Sequence, residues 1–292
     1  MKAGLARSIA VGLISLAAIE PAAAQFSAAF LQNASYWRDG KSEIDFYSAE
    51  FVRDGQRYQC ELLMIFAPGF VEPVGLTPVD AAQAGALPTI RMNQVATVAR
   101  GLLVEQRSIH ALWRMDFMSL ARISFTGSDG IGNIAKAIRE KRDAAAVTWN
   151  YSCDSYRGNI ERPEIPAPAG TPLFYDELPL RVRTIDFSKS TGDFEVQLAS
   201  PMMSPACDSI AFKTAKISYK VGDRAIEVEV KQDAAVDRFV LDRDFPFLLR
   251  EWKAADGTQL KLKNSLKADY LKYNKPGDRE RALKDPMLRH PD

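Results

Sequence analysis

Histidine is the side chain best suited to acid–base chemistry near neutral pH, and this 292-residue chain has two of them. His110 lies in the stretch SIHALWRMDF, where Gln106, Ser108, His110 and Arg114 alternate with an apolar face. The guanidinium is expected to lower the pKa of the imidazole. Catalysis would also need a nucleophile and an orienting acid, and no G-x-S-x-G or comparable motif supplies them. We therefore predict no catalytic residue: His110 lies on a polar strand face, and His290 belongs to the C-terminal tail.

Paired carboxylates could cleave a glycosidic bond if they faced each other across a cleft. Glu43 and Asp45 share one strand face, as do Glu227 and Glu229, and each pair alternates with apolar residues. This alternation is typical of a half-exposed strand, so we expect both pairs to be solvated. A carboxylate-dependent hydrolase acting on envelope polysaccharide stays open as an alternative function.

Metal and phosphate motifs are incomplete in this sequence. No two His or Cys residues have the short spacing of common zinc sites. Asp233, Asp237, Asp242 and Asp244 lack the spacing of a calcium-binding loop, so a solvated acidic turn is expected. The stretch GSDGIGN at 127–133 has neither a phosphate-loop nor a dinucleotide fingerprint, which favours a turn or bulge. We predict no metal and no cofactor.

The three cysteines are Cys60, Cys153 and Cys207. Cys60 lies in RYQCELLMIF, where alternate residues are apolar, and this pattern predicts a small buried hydrophobe. Cys153 and Cys207 lie in the polar, turn-like stretches NYSCDSY and SPACDSI. We favour a disulfide between Cys153 and Cys207, although sequence alone does not determine connectivity.

The N-terminus has the pattern of a secretory signal peptide over residues 1–24. Lys2 and Arg7 precede an apolar run, and an A-x-A site favours cleavage between Ala24 and Gln25. The apolar run is about half the length that a membrane-spanning helix needs. We therefore expect a periplasmic or secreted bacterial protein whose mature chain has no transmembrane span. Without the leader, basic and acidic residues balance, which argues against a nucleic-acid partner.

Period-two alternation recurs along the chain, with hairpin signals at 54–55, 100–101, 222–223 and 256–257. The sequence predicts an all-β, mainly antiparallel fold: a large curved sheet, sandwich or partly closed barrel built from hairpins, with few short helices. Residues 130–143 fit a helix or a strand equally well. A short capped helix is predicted from Asp278.

Five prolines in 159–179 predict a connector rather than a strand. This connector separates a β half at 25–158 from a β half at 180–292 that ends in a short tail. We expect the two halves to share one sheet. The lysine-rich stretch 261–275 is interpreted as a basic strand edge.

Aromatic residues are frequent on the apolar strand faces, where they form an ordinary core or border a ligand cavity. Trp113, Trp149 and Trp252 are the candidate ligand-lining residues. We predict a non-enzymatic periplasmic binding or envelope-maintenance factor that carries an apolar or lipid ligand. A structural or partner-binding envelope protein is a further alternative.

Two parts of the chain resemble uncharacterised secreted bacterial β-rich proteins. They are YWRDGKSEIDFY at 36–47, and REWKAADGTQLKLKNSL with YLKYNKPGD within 250–278. The resemblance implies a bacterial envelope setting and carries no catalytic residue.

Overall fold

The computed structural model describes residues 25–116, 118–128, 132–142, 147–156, 158–203, 207, 209–285 and 288. The predicted signal peptide, the centre of GSDGIGN and His290 lie outside these residues. Within them, none of the helices has both the length and the apolar character required to cross a membrane.

Among the described residues, fifteen strands form one mostly antiparallel sheet, which confirms the predicted fold class. In space the order runs from β8 down to β1, and then from β15 down to β9. The strands are β1 Ser42–Arg53, β2 Gln56–Val71, β3 Leu87–Arg100, β4 Leu103–Arg114, β5 Ser119–Ser128, β6 Asn133–Arg142, β7 Val147–Ser155, β8 Gly158–Pro166, β9 Pro172–Phe174, β10 Thr191–Ala199, β11 Phe212–Val221, β12 Ala225–Gln232, β13 Ala235–Asp242, β14 Leu249–Lys253 and β15 Gln259–Ala268.

Tight turns explain why neighbours in sequence are also neighbours in the sheet. At the β1–β2 turn, Asp54 and Gly55 have φ of 51° and 73°, the positive values that a two-residue hairpin requires. The two halves of the chain meet where β1 pairs with β15, for example at Ile44 opposite Leu266. Strands of both halves therefore belong to the same sheet.

In the part of the chain that the structure describes, four short α-helices accompany the sheet: α1 Ala28–Gln32, α2 Ala34–Trp37, α3 Leu178–Arg181 and α4 Asp278–Ala282. The short helix predicted from Asp278 is confirmed as α4. The ambiguous segment 130–143 contains strand β6 and no helix among its described residues.

Two sequence predictions about edges were wrong. The proline-rich stretch 159–179 contains most of β8 and all of β9, which are the outermost strands of the sheet. An edge strand tolerates proline because one side of its backbone needs no ladder partner. The lysine-rich β15 is not an edge, since it pairs with both β1 and β14.

The sheet curls around the segment Leu173–Ile185, which is buried along almost its whole length. Side chains of this segment contact strands that are far apart in the sheet: Phe174 touches Trp149 of β7, and Arg183 pairs with Glu43 of β1. We call the space enclosed by the sheet the lumen. The inner faces of the strands and this central segment together form the main core.

Side chains, rather than a ladder, join the two ends of the sheet. The rings of Trp149, Phe174 and Phe212 contact one another at centroid distances of 5.4–5.7 Å. Nearby, a disulfide links Cys153 of β7 to Cys207 in the loop between β10 and β11, with the Cα atoms 5.6 Å apart. This is the pair that the sequence favoured. It holds together two regions separated by 54 positions in the chain.

Candidate functional site

A cavity of about 790 Å³ occupies one end of the lumen. It is bordered by the turns β1–β2 and β14–β15, by the facing ends of β5 and β6, and by the start of the loop after β10. Its volume lies within the range of pockets that hold small molecules in proteins, about 300–1,000 Å³. The cavity exists because the central segment fills only the other part of the lumen.

Apolar and aromatic side chains form the walls of the cavity. They come from inward-facing positions of strands in both halves, which the period-two alternation places on one face. They include Phe51, Phe125, Ile134, Tyr151, Leu198, Val230, Trp252 and Leu260. A surface of this composition favours the apolar part of a ligand.

A hydrogen-bonded group lies on the wall formed by β13 and β14. Asp237 accepts hydrogen bonds from the Tyr175 hydroxyl at 2.5 Å and from Trp252 Nε1 at 3.1 Å. Burial raises the pKa of Asp237, and these two donors partly offset the effect. Trp252 also stacks on Phe239 at 5.3 Å, so its ring is fixed in place. Asp237 is therefore no part of a solvated turn, contrary to the sequence prediction.

A cluster of arginines surrounds one carboxylate at the rim of the cavity. Glu105 accepts from Arg53 at 2.8 Å, from Arg107 at 2.5 Å and from Arg100 at 3.5 Å. The Arg107 guanidinium also lies over the Phe51 ring, 4.9 Å from its centroid. Asp54 of the same rim lies 3.9 Å from Arg53 and 4.0 Å from Arg100, so three guanidiniums face two carboxylates here.

Two acids of the central segment are shifted towards neutral pH. Burial raises the pKa of Asp176 to about 6, although the Met202 N–H and Lys136 act in the opposite direction. Burial also raises the pKa of Glu177 to about 7. Lys136 itself borders the cavity, next to the region where the central segment begins. Both acids of the central segment therefore have pKa values within the range near neutral pH.

We expect Asp176→Asn to stabilise the protein by about 2–3 kcal/mol at about pH 8. Folding raises the Asp176 pKa. The stability that the Asp176 carboxyl group contributes is therefore fully present below its unfolded pKa of about 4, and it is lost as the pH rises to about 6. Asparagine stays neutral and keeps an oxygen for the Met202 N–H, now 2.7 Å from the Asp176 carboxylate. Urea unfolding at about pH 4 and pH 8 measures the effect. An equal gain at both pH values would contradict it.

The three predicted ligand-lining tryptophans have different positions. Trp252 borders the cavity, whereas Trp113 and Trp149 are packed in the core. The Arg181 guanidinium covers the Trp113 ring at 5.4 Å. The sequence missed most of the cavity wall, including Phe51 and Tyr151, because alternation does not distinguish a filled lumen from an empty one.

The pair Glu43 and Asp45 is not solvated, and that prediction was wrong. The Glu43 and Asp45 residues are only 1% and 0% exposed, and both point into the lumen. The Arg183 Nη1 and Nη2 atoms bind the two Glu43 oxygens at 2.6 and 2.9 Å, and the Tyr36 hydroxyl donates at 2.5 Å. Burial and the neighbouring Glu43 raise the pKa of Asp45. None of these acids borders the cavity, so the cluster has a structural role.

The other candidates have ordinary environments. Glu227 is exposed and Glu229 is half-buried, as predicted for a half-exposed strand. Asp233 pairs with Lys213 and Asp242 with Arg250. Cys60 packs half-buried against the main core, and burial raises its pKa to about 11.

His110 lies on the outer face of β4, as expected, with Nδ1 2.8 Å from Asn93 Oδ1. Its pKa is lowered by burial and then by the charge of Arg122, rather than by Arg114 as the sequence suggested.

Comparisons with known proteins show a similarity of fold only. No family model matches the sequence, and no curated protein matches it. Among solved structures, the chain is similar to a beta-barrel-like protein of domain of unknown function DUF1849 from Brucella abortus, with a TM-score of 0.42 and 10% identity. The match covers 78% of this chain and 98% of that chain. What this chain shares with a known protein is thus a distant likeness between β-rich folds.

Proposed function

We propose that this protein is a non-enzymatic periplasmic binding protein that carries an amphiphilic ligand, such as a lipid, in its lumen. The observation that carries the proposal is the cavity of about 790 Å³, which has apolar walls and opens at one end of the curved sheet. An apolar chain would lie against Phe125, Tyr151 and Trp252, and its polar group would lie at the rim.

The rim supports a ligand with an anionic or strongly polar head. Arg53 and Arg107 border the cavity and already bind Glu105, so the rim can exchange or share donors with an incoming oxyanion. Guanidinium groups offer several N–H donors in a fixed plane, which suits carboxylate and phosphate oxygens.

An exposed apolar hairpin tip supports ligand exchange with a membrane. Leu102, Leu103 and Val104 are 102%, 37% and 54% exposed at the β3–β4 turn. Runs of consecutive exposed apolar residues are unusual unless they serve a function. The next residue, Glu105, borders the cavity, so the tip projects at the open end of the lumen. Such a tip would insert into the apolar interior of a lipid bilayer.

The periplasmic location rests on two features. The Cys153–Cys207 disulfide is typical of proteins outside the reducing cytoplasm. The first 24 residues have the pattern of a signal peptide. A hydrolase receives less support, because each acid that borders the cavity already has a partner. Glu105 and Asp54 lie beside arginines, Asp237 accepts from Tyr175 and Trp252, and Asp256 accepts from the Thr258 N–H.

We expect the fluorescent apolar probe N-phenylnaphthylamine to bind the protein, and Ala254→Phe to weaken this binding about tenfold. Ala254 is half-buried and borders the cavity, so a phenyl ring there would occupy the ligand space. Fluorescence titration measures the affinity.

Ala135→Phe is the matched control, because Ala135 is exposed on the outer face of β6. It should leave probe affinity unchanged. Equal affinities for wild type and both variants would place the probe outside the lumen and remove the support for a carrier.

A further inference from the structure

We propose a second binding site, for a phosphoryl group, in a groove on the outer face of strands β3 to β6. The groove has a volume of about 600 Å³ and is separate from the lumen, because its strand residues belong to the opposite face of the sheet. We call it the arginine groove. It is formed by two cross-strand rows of polar side chains and by the loop between β2 and β3.

The first row contains three arginines, of which Arg91 and Arg122 border the arginine groove. Strand pairing places Arg91 opposite Leu112, Leu112 opposite Arg122, and Arg122 opposite Arg139. Like charges directly opposite each other on neighbouring strands are destabilising. A protein that retains such a row has its repulsion relieved when an anion binds between the guanidiniums.

Two of these arginines are unpaired. Arg91 and Arg122 have no hydrogen bond or ion pair with any residue that the structure describes, whereas Arg139 donates to the Val74 carbonyl. Along the two rows, from β2 to β7, the sequence provides no acidic residue. In the β2–β3 loop, the Glu72 carboxylate accepts from the N–H groups of Val74 and Thr77.

The second row supplies neutral polar groups beside the arginines. Asn93 lies opposite His110, and His110 lies opposite Ser124. The His110 Nδ1 donates to Asn93 Oδ1, which orients the ring. All three side chains border the arginine groove. Hydroxyl and amide donors next to guanidiniums bind the oxygens of a phosphoryl group, and the His110 Nε2 becomes a further donor when the ring is protonated.

The walls of the arginine groove make it a concave site rather than a flat charged surface. Leu76 and Pro78 of the β2–β3 loop stand on one side, and Leu112 forms part of the floor. Leu76 and Leu112 belong to a small apolar cluster that anchors the loop to the sheet. Arg91 is half-buried and Arg122 is exposed, so solvent screens the charge of Arg91 less than that of Arg122.

The test is a titration of wild-type protein with inorganic phosphate, followed by calorimetry and by the NMR signal of the His110 ring. We expect saturable binding and a rise in the His110 pKa, since an anion nearby favours the charged imidazolium. In a second arm, vesicles of phosphatidylcholine alone are compared with vesicles containing about 30% phosphatidylglycerol. Free phosphate and a lipid headgroup are thereby distinguished as sources of the phosphoryl group.

Arg122→Gln and Arg91→Gln should each weaken binding about tenfold, since each removes a charge-assisted contact. Arg122→Gln should also raise the thermal midpoint by about 1 °C at low salt, because it relieves the repulsion with Arg139. The control is Arg224→Gln, which removes an exposed arginine from the β11–β12 turn and should change neither quantity.

Binding of phosphate that the two groove variants weaken supports a site for the free anion. Binding of phosphatidylglycerol vesicles alone, weakened by the groove variants and retained in Leu102→Ser, supports a headgroup site. No binding in either arm, or equal binding by the Arg91→Gln/Arg122→Gln double variant and wild type, overturns the proposal. Ala254→Phe should leave phosphate binding intact, so a failure of the lumen proposal is recognised separately.

Discussion

Arg183→Met is expected to destabilise the protein by about 3–5 kcal/mol, the largest effect of any single substitution considered. The Arg183 residue is 0% exposed, and it binds both oxygens of Glu43. It also donates to the Pro246 carbonyl and lies against the rings of Phe30 and Phe66. Methionine fills a similar volume but leaves the Glu43 carboxylate buried without its cation. Urea unfolding of the oxidised protein measures the loss.

The pH dependence of this loss identifies its cause. Burial opposes ionisation of Glu43, but the charge and hydrogen bonds of Arg183 outweigh it and lower the Glu43 pKa. The stability that the pair contributes is therefore present above the unfolded pKa of about 4.3 and is lost as the pH falls through the lower folded pKa. The difference in the free energy of unfolding between wild type and Arg183→Met should therefore become smaller at acid pH. A difference that does not change with pH would indicate that lost packing is the cause.

Two further variants complete this test. Glu43→Gln in the Arg183→Met background should recover part of the stability, because it removes the unpaired charge. Lys216→Met is the surface control: the Lys216–Asp193 pair has a similar distance, 2.6 Å, but both side chains are more than half exposed. Solvent screens such a pair, and we expect no measurable change.

Loss of the Cys153–Cys207 disulfide is expected to cost about 4 kcal/mol, as estimated from the chain entropy of a loop of this length. The bond joins positions 54 residues apart and connects the two ends of an unclosed sheet. The variant Cys153→Ser/Cys207→Ser should therefore unfold at lower urea concentration. Hydrogen exchange should increase first in β7 and β8, whose ladder ends at the sheet edge.

Cys60→Ser serves as the control for this variant. Cys60 is the one free cysteine of the described residues and is half-buried on β2. Its replacement should cost less than about 1 kcal/mol. If the double serine variant were as stable as wild type, contacts such as those of Trp149 with Phe174 and Phe212 would hold the sheet ends together without the disulfide.

The strands could be predicted from the sequence because their signals are local. Alternation of apolar and polar residues reports the strand period, and dipeptides such as Asp54-Gly55 report the turns. The edge strands β8 and β9 were not predicted, because they contain prolines. Proline argues against a strand unless the strand is known to lie at the edge of a sheet, and the sequence does not show this position.

The site was predictable only in part, since its features depend on contacts between distant residues. Alternation shows that Glu43 and Asp45 share a face, but it does not show that this face is the inner one. The cation that makes Glu43 tolerable there, Arg183, is 140 positions away. Likewise, Trp113 and Trp252 have similar strand patterns, yet Trp113 is covered by Arg181 of the central segment and Trp252 borders the cavity.

The most direct test of the lumen as a ligand site is native mass spectrometry of the protein purified from its own host without detergent. We predict a population with added mass from an amphiphilic molecule in wild type and in Ala135→Phe, and its loss in Ala254→Phe. Wild-type protein that is repeatedly empty, or an adduct that Ala254→Phe retains in full, would contradict the account.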